Sequence, residues 1–351
     1  MSTIGRFVHR FGPGIAAAGL VSAGLALLAP FASPAAAQSN WDEVIAAAKK
    51  EGKVVFYNGQ TGWPEPIAAA KSFEQKYGIK VEMLEVRSVE LMERMRTEVT
   101  NNKVGGDVTL MGSTGTAPLG KAGLLQPHGG FPNQGKVVLQ PWVPEEVPVF
   151  VINYGLAINT RLVPSGQEPK SWKDLTDPKW KGKILSDEMI FPSGGQSWFA
   201  VMLKTFGREF HEALAKNDLQ FDRNIPAKAQ RVARGEFAIS IPFNVQELAR
   251  LKGFPLKGII PEEGAPYTPV GIAMIKGAKN PNAARLFMDH MLSDEVQLSF
   301  AKVGYPVAIK GLEDKVPDEW KFSVYGKLLG HADVDKQPER LKLASEIYNR
   351  K

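Results

Sequence analysis

The first third of the chain alternates short buried strands with amphipathic helices, and this alternation constrains the fold more than any other feature. Apolar runs at residues 53–57, 79–86 and 107–111 predict strands, and helical apolar spacing fills the two stretches between them. Strands joined in this way need right-handed crossovers, which produce a mainly parallel sheet with helices on its faces. Because ligands bind beyond the carboxyl ends of such strands, we expect the binding loops to follow these three strands.

A second α/β unit is predicted in the middle of the chain, with strands near residues 183–185, 237–241 and 256–260 and a helix at residues 245–252. Apolar segments at 147–158 and 268–275 are long enough to cross between the two units, and no low-complexity linker separates them. We therefore predict two lobes joined by two strands. The predicted boundaries are residues 38–150 plus 270–351, with the C-terminal helices, for lobe 1 and residues 151–269 for lobe 2.

Residues 1–37 have the three parts of a secretory signal. Arg6 and Arg10 lie in a basic start, an apolar run follows, and small residues precede Gln38, which predicts cleavage after Ala37. The apolar run is shorter than the roughly 20 residues that span a bilayer. The chain has no cysteine, which excludes disulfides, thiolate catalysis and cysteine-bound metal sites. We expect an exported protein that depends on its hydrophobic core for stability.

The charge balance argues against a nucleic-acid partner. The sequence has 43 Lys and Arg residues against 37 Asp and Glu residues, a net charge of +6, and the predicted signal holds two of the arginines. The remaining basic residues are interspersed with acids rather than gathered into one stripe, which suits a small anionic solute better than a nucleic acid. The histidines after the signal are scattered, without the paired spacing of a metal site: His128, His211, His290 and His331.

One segment is specific enough to indicate a family. Residues 171–183 read Ser-Trp-Lys-Asp-Leu-Thr-Asp-Pro-Lys-Trp-Lys-Gly-Lys and resemble a motif of the periplasmic solute-binding proteins of ABC importers, in the iron(III)-binding-like branch. The resemblance covers residues 41–312. Shorter stretches look like the same family in the same order, at residues 154–160, 233–236, 271–273, 279–284 and 304–307.

The resemblance implies a type II clamshell. Two lobes, each a mainly parallel sheet flanked by helices, are joined by two hinge strands and hold a ligand in the cleft between them. The resemblance also implies a periplasmic monomer that delivers a small molecule to an ABC permease in the inner membrane.

The resemblance does not extend to the iron ligands. Ferric members of the family bind the metal largely through an adjacent tyrosine pair, because phenolate oxygens suit a hard trivalent cation. The matching place holds Phe243 and Asn244, so no phenol is available there. We therefore predict no metal site and no cofactor, and expect a small polar solute that is anionic and organic or phosphorus-containing. Ferric iron is the alternative cargo within the same family.

Candidate ligand contacts in the first half lie at the ends of the predicted strands. Arg87 offers a guanidinium that grips an oxyanion with two parallel bonds, and a solvated surface arginine is the alternative. The hydroxyls of Ser113 and Thr114 suit a carboxylate or phosphoryl group, with helix capping as their alternative. The remaining candidates are two aromatic side chains and an amide, with core packing or turn formation as the alternative: Tyr57, Asn58 and Trp63.

In the second half the main candidate is the loop that opens a predicted helix. Residues 193–197 read Ser-Gly-Gly-Gln-Ser, and a helix start presents unpaired N–H groups and a partial positive charge to an anion. A plain helix cap explains the same residues equally well. The candidates in this loop are Ser193, Gly194, Gly195 and Gln196. Those from the second lobe or its hinge are Tyr154, Phe243, Asn244 and Glu247, the last of which favours an amine on the ligand or answers the helix dipole.

Enzyme motifs are missing from the sequence. There is no Gly-x-Ser-x-Gly elbow, no His-Glu-x-x-His pair and no cysteine nucleophile. We therefore predict a binding protein without catalytic residues. A secreted ligand sensor that signals without transport stays open, because a carrier and a sensor share this sequence pattern.

Overall fold

The computed structural model describes residues 34–191, 193–333 and 335–349. Residues 1–33, which make up most of the predicted signal segment, lie outside this part of the chain. No helix in the described part combines the length and the apolar character needed to cross a membrane. The helices are α1 (Pro34–Glu51), α2 (Pro64–Tyr77), α3 (Ser88–Thr100), α4 (Ser113–Lys121), α5 (Gly194–Ala215), α6 (Ile225–Ala233), α7 (Glu247–Arg250), α8 (Pro281–Met291), α9 (Asp294–Ala301), α10 (Asp318–Val324) and α11 (Gln337–Tyr348).

The strands follow the predicted alternation closely, and each of the three predicted strands in the first third is present within one or two residues at either end. They are β1 (Lys53–Asn58), β2 (Lys80–Glu85), β3 (Val108–Gly112), β4 (Leu125–Gln126), β5 (Glu146–Asn159), β6 (Ile184–Asp187), β7 (Gln220–Asp222), β8 (Ile239–Asn244), β9 (Leu256–Ile259), β10 (Ala265–Ile275) and β11 (Leu328–Gly330).

The sheet has two parallel outer parts and an antiparallel centre. The strand order is β2-β1-β3-β10-β5-β8-β6-β7, while β4 and β11 pair with β10, and β9 pairs with β5. Strands β2, β1 and β3 run parallel to one another, as do β8, β6 and β7. The two parts meet through β5 and β10, which pair antiparallel. This topology confirms the predicted α/β architecture with two crossing strands.

The crossing strand β5 is long and buried along its whole length. Its fourteen residues, Glu-Val-Pro-Val-Phe-Val-Ile-Asn-Tyr-Gly-Leu-Ala-Ile-Asn, are almost continuously apolar, as expected for a strand covered on both faces. Its first half pairs with β10, and its second half pairs with β8 and β9. The two parts of the sheet are therefore joined by a buried strand rather than by an irregular linker.

Three local features differ from the sequence-based expectation. Residues 112–116, predicted as a loop, are the end of β3 and the first turn of α4. The helix predicted at residues 245–252 is reduced to the single turn of α7. The C-terminal helix α11 packs against α5, where His211 Nδ1 and Tyr348 Oη lie 2.8 Å apart, although residues 270–351 are predicted to belong to lobe 1.

Candidate functional site

A cavity of about 660 Å³ opens where the carboxyl ends of β1 and β3 meet the middle of β5 and β10. Its wall consists of the loop after β1 and the first residues of α3, α4, α5, α6 and α11. This volume lies within the roughly 300–1,000 Å³ that small-molecule sites occupy. The cavity therefore lies at the place that the strand-end rule predicts for an α/β sheet.

Several helix starts at the cavity have no side-chain cap, and those of α3 and α4 are among them. Arg87 is the N-cap residue of α3 and Gly112 is that of α4, and neither accepts a hydrogen bond from its helix through a side chain. The first N–H groups of a helix have no partner within the helix, and its start carries a partial positive charge. Backbone donors of α3 and α4 are therefore available to an anion in the cavity.

Arg87, a predicted ligand contact, lines the cavity, and its side chain is paired. Its guanidinium donates two hydrogen bonds to Glu90 Oε1, from Nε at 3.2 Å and from Nη2 at 3.0 Å. The two side chains are 84% and 52% exposed, so the pair is solvated and weakly held. Arg87 and Glu90 are the charged residues in the described lining. An anion that enters the cavity can therefore compete with Glu90 for the guanidinium.

Small hydroxyl groups lie beside the uncapped helix starts. Thr114, the second residue of α4 and a predicted ligand contact, is exposed and lines the cavity, and Ser88 of α3 lines it as well. Ser113 differs from the prediction, because it is only 3% exposed and lies outside the lining. It begins α4 with its side chain buried, since the helix follows β3 directly.

Trp63 forms an aromatic wall of the cavity and also packs on the core. Its ring centroid lies 5.4 Å from that of Tyr305 and 6.2 Å from that of Phe150. Trp63 is the N-cap residue of α2, and its extended backbone places the ring beside these two aromatic side chains. Trp63 therefore both packs on the core and lines the cavity.

Tyr154 lines the cavity from β5 as a neutral phenol. Its hydroxyl lies 2.9 Å from Thr268 Oγ1, and the residue is 4% exposed. Burial raises the pKa of Tyr154 to about 12. At neutral pH the side chain therefore offers a hydroxyl and an aromatic edge, not a phenolate.

The start of α5 reaches the cavity, but most of its donors are already used inside the protein. Ser193 and Gly194 line the cavity. The N–H of Gly195 donates to Asp187 Oδ2 at 2.9 Å, and the N–H of Gln196 donates to Ser193 Oγ at 3.3 Å. Gly195 and Gln196 are buried behind the wall. The sequence predicts that the N–H groups of this helix start are free for a ligand. In the structure, the N–H groups of Gly195 and Gln196 are instead bonded to side chains of the protein.

Tyr57 and Asn58 end β1 but do not line the cavity. The Tyr57 hydroxyl donates to Glu98 Oε1 at 2.9 Å and accepts from Arg94 Nε at 3.2 Å, and burial raises its pKa to about 12. Asn58 accepts from the N–H of Gln60 at 2.9 Å. Tyr57 therefore completes the core beneath α3, and Asn58 shapes the turn that carries the cavity loop.

The candidates on β8 and α7 lie outside the lining. Phe243 is 1% exposed and belongs to a small core cluster. Glu247 is 6% exposed and accepts a hydrogen bond from Arg250 Nη1 at 2.9 Å, so a protein cation already occupies the place expected for a ligand amine. Asn244 is half-buried and is the register partner of Tyr154, so the two side chains project from the same face of the sheet.

Several polar lining residues escaped the sequence-based prediction. Gln60 and Thr61 lie in the predicted loop after β1, where position alone does not distinguish a ligand contact from a turn residue. Thr268 lies in the predicted crossing segment, whose apolar character concealed one polar side chain. Gln337 begins α11 and reaches the cavity from the end of the chain, so only the tertiary fold reveals it.

Comparison with known proteins places the chain among bacterial binding proteins. It is 27% identical to an uncharacterized protein of Haemophilus influenzae over 72% of this chain and 77% of the relative. It is 26% identical to iron uptake protein A1 of Synechocystis sp. over 79% of this chain and 81% of the relative.

Solved structures share the fold. Iron-bound HitA from Pseudomonas aeruginosa matches with a TM-score of 0.70 at 24% identity, over 84% of this chain and 99% of that one. The periplasmic binding protein AfuA from Actinobacillus pleuropneumoniae, solved with fructose-6-phosphate bound, matches with a TM-score of 0.63 at 24% identity, over 85% and 99%. These matches confirm the predicted type II clamshell architecture.

A family model described as bacterial extracellular solute-binding protein matches residues 122–327, which is more than half of the chain. The matched region contains residues 171–183, with the Trp-x-Asp-Leu and Pro-x-Trp pattern, together with β5 and β10. The chain therefore belongs to the bacterial extracellular solute-binding protein family.

Proposed function

We propose that this protein is the periplasmic component of an ABC importer and captures a small anionic solute, organic or phosphorus-containing, in the cavity at the carboxyl ends of β1 and β3. The chain is exported by residues 1–37, which are removed after Ala37, and works as a monomer. It then delivers the solute to a permease in the inner membrane. The role is one of binding, without catalytic residues or a cofactor.

The observation that carries this proposal is the pair of uncapped helix starts at one cavity. Helices α3 and α4 direct unpaired N–H groups and partial positive charge toward the same space, and Arg87 stands at the first of them. The hydroxyls of Ser88 and Thr114 add uncharged donors. Such a set holds a carboxylate or phosphoryl group through several charge-assisted hydrogen bonds.

The lining favours an anion over ferric iron. The fold itself does not determine which solute is bound, since similar structures are described as iron-bound and as fructose-6-phosphate-bound. A hard trivalent cation needs phenolate or carboxylate oxygens. The described lining contains a single phenol, Tyr154, and a single carboxylate, Glu90, which is paired with Arg87. The described residues also contain no group of three or more His, Cys, Asp or Glu side chains placed to hold a metal ion.

Capture proceeds by closure of two lobes about β5 and β10. In this proposal residues 38–150 and 270–351 form lobe 1, and residues 151–269 form lobe 2. Helix α11 of lobe 1 then packs against α5 of lobe 2. An ion pair of Lys121 Nζ and Asp335 Oδ1, 2.8 Å apart, joins α4 to the segment before α11 beside the cavity. The closed form is the shape that a permease recognises.

The experiment that tests this function is uptake by cells. A strain that lacks the protein is given radiolabelled phosphate monoesters, phosphonates and organic acids, with and without the gene supplied on a plasmid. Import of one of these anions that depends on the gene supports the proposal. Gene-dependent signalling with unchanged uptake of every anion indicates the alternative role of a secreted sensor.

A further inference from the structure

A row of side chains crosses the first part of the sheet beneath α4. Thr109 on β3 and Glu146 on β5 are both register partners of Ala273 on β10, so the three side chains project from one face. Helix α4 packs on this face, and its Thr116 lies over the row. The Glu146 carboxyl fills the space above Gly271, where a Cβ atom would overlap it.

The oxygens of this row are buried and unpaired. Glu146 is 2% exposed, and Thr109 and Thr116 are fully buried. Neither carboxyl oxygen of Glu146 and neither threonine hydroxyl has a hydrogen-bond partner of ordinary geometry. An isolated carboxylate in such surroundings is strongly unfavourable and takes up a proton instead. Glu146 is therefore held in the fold as a neutral acid.

No cation in the described part of the chain compensates Glu146. Strands β3 and β10 carry no charged residue, and Tyr267 is the titratable group on β10. Helix α4 carries Lys121, which is bonded to Asp335 at the surface. Tyr57 lies in the same row on β1, and its hydroxyl is held by Glu98. Among the described residues, Glu146 therefore forms no ion pair that would hold its carboxylate ionised.

Burial raises the pKa of Glu146 from the ordinary 4.5 to about 7, and the Thr116 hydroxyl opposes this shift. The folded protein therefore keeps this proton below pH 7, whereas an unfolded chain loses it near pH 4.5. The proton on Glu146 makes its full contribution to the free energy of unfolding below pH 4.5. This contribution decreases as the pH rises toward 7 and is lost above pH 7.

The proton site is connected to the cavity through shared elements. Thr116 follows Thr114, which lines the cavity, by two residues on α4. On β10, Gly271 follows Thr268, another lining residue, by three residues, or about 10 Å of extended strand. Glu146 itself is the first residue of the crossing strand β5. A change at Glu146 therefore acts on the elements that form the cavity wall.

We infer that Glu146 is a proton-operated switch beneath the cavity, which lets α4 pack firmly on the sheet when neutral and loosens it when ionised. The buried negative charge is relieved when water reaches it, and water reaches it when α4 lifts from β10 and β3. Because the first turn of α4 belongs to the cavity wall, rising pH then loosens that wall. The switch operates whatever solute the cavity holds, so its tests need no ligand.

The first test compares thermal unfolding of the wild-type protein with Glu146→Gln from pH 5 to pH 8.5. The glutamine variant keeps the shape of the acid and cannot ionise. We expect equal stability near pH 5 and, above pH 7, an unfolding equilibrium constant on the order of 100-fold lower for the variant. Glu145→Gln, a change at the partly exposed neighbouring residue, should follow the wild type. A difference in stability between the wild type and Glu146→Gln that stays constant from pH 5 to pH 8.5 contradicts the switch.

The second test follows hydrogen exchange in peptides that cover Ser113–Lys121, corrected for the intrinsic effect of pH. In the wild-type protein α4 should lose protection between pH 6 and pH 8.5, and in Glu146→Gln it should not. Thr116→Val removes the hydroxyl that opposes the shift, so its loss of protection should begin at higher pH. Equal protection of α4 in wild type and Glu146→Gln at pH 8.5 would reject the loosening of this helix.

Discussion

At the scale of single residues, Arg87 is the side chain on which anion binding most depends. It supplies the positive charge of the described lining, at the uncapped start of α3, and Glu90 partly neutralises it. Both side chains are well exposed, so their ion pair contributes little to stability. The same guanidinium is therefore free to exchange a protein carboxylate for a carboxylate or phosphoryl group of the solute.

Replacement of Arg87 by Met should weaken binding of an anion by about 10- to 100-fold, since a hydrogen bond to a charged group contributes about 1.5–3 kcal/mol. Glu90→Gln should strengthen binding, because it removes the competing carboxylate. Titration calorimetry with the best anion from an uptake or melting screen measures both effects. Arg208→Met is the matched control: Arg208 is also exposed and paired with a nearby glutamate, but lies outside the lining. Equal affinity of the Arg87 and Arg208 variants would remove Arg87 from the site.

Thr114 lines the cavity and its neighbour Ser113 is buried, so substitutions at the two positions distinguish a residue that contacts the solute from one that does not. Thr114 is exposed at the cavity, whereas Ser113 is 3% exposed beside it. Thr114→Val should lower the affinity for the anion by several-fold through loss of one hydrogen bond, and leave the melting temperature nearly unchanged. Ser113→Ala should leave affinity unchanged. The reverse order of effects in the same calorimetric titration would mean that Ser113, as the sequence suggests, reaches the solute.

At the scale of elements, the start of α5 serves packing as much as binding. Gly194 lies against the ring of Tyr154, and a Cβ atom added to this glycine would lie 3.0 Å from the ring. A Cβ atom at Gly195 would overlap the carbonyl of Glu188. The two glycines let the helix start lie against β5 and β6. Asp187 at the end of β6 then accepts from the N–H of Gly195 and fixes this approach.

Gly195→Ala should therefore destabilise the protein by about 1–3 kcal/mol, the usual effect of an extra methyl group in a packed interior. Chemical denaturation measures the loss. Gly135→Ala is the control, because nothing lies within 4 Å of a Cβ atom there and its backbone is compatible with alanine. A Gly195 variant as stable as the Gly135 variant would show that α5 can shift without cost.

The elements also show what the sequence can and cannot predict. Regular apolar spacing is sufficient to predict β1, β3 and the crossing strands, because a strand that is buried on one or both faces needs apolar residues at regular positions in the sequence. Helix α4 was missed because Gly115, Pro118 and Gly120 lower its intrinsic helical tendency. Contacts with β3 and β10 stabilise it instead, and a Cβ at Gly115 would overlap Met111. Tertiary packing of this kind has no signature in a local window.

The candidate site was predictable to a similar degree. The strand-end rule led to Trp63, Arg87 and Thr114, all of which line the cavity. It could not tell which side chain of a strand end faces inward, so it also selected Tyr57, which bonds Glu98 in the core. The sequence does not predict Gln337 as a cavity residue, because its position at the cavity depends on how α11 packs on α5.

At the scale of the whole molecule, the fold is shared by proteins that carry different solutes, so the side chains at the cavity must decide between them. The family match and the two crossing strands establish a solute-binding architecture. The uncapped starts of α3 and α4 and the guanidinium of Arg87 favour an anion. The described lining contains one phenol, that of Tyr154, instead of the adjacent tyrosine pair that suits ferric iron.

The most direct measurement is a melting-shift screen of the mature protein with inorganic phosphate, phosphate monoesters, phosphonates, carboxylates and ferric citrate. At a concentration of 100 Kd, a solute bound only by the folded state adds about 2.7 kcal/mol, which raises the melting temperature by about 5 °C for a chain of this size. We expect such a rise with at least one metal-free anion, its loss in Arg87→Met, and no visible phenolate-to-iron band with ferric citrate. A strong band and a rise with ferric citrate alone would contradict the account.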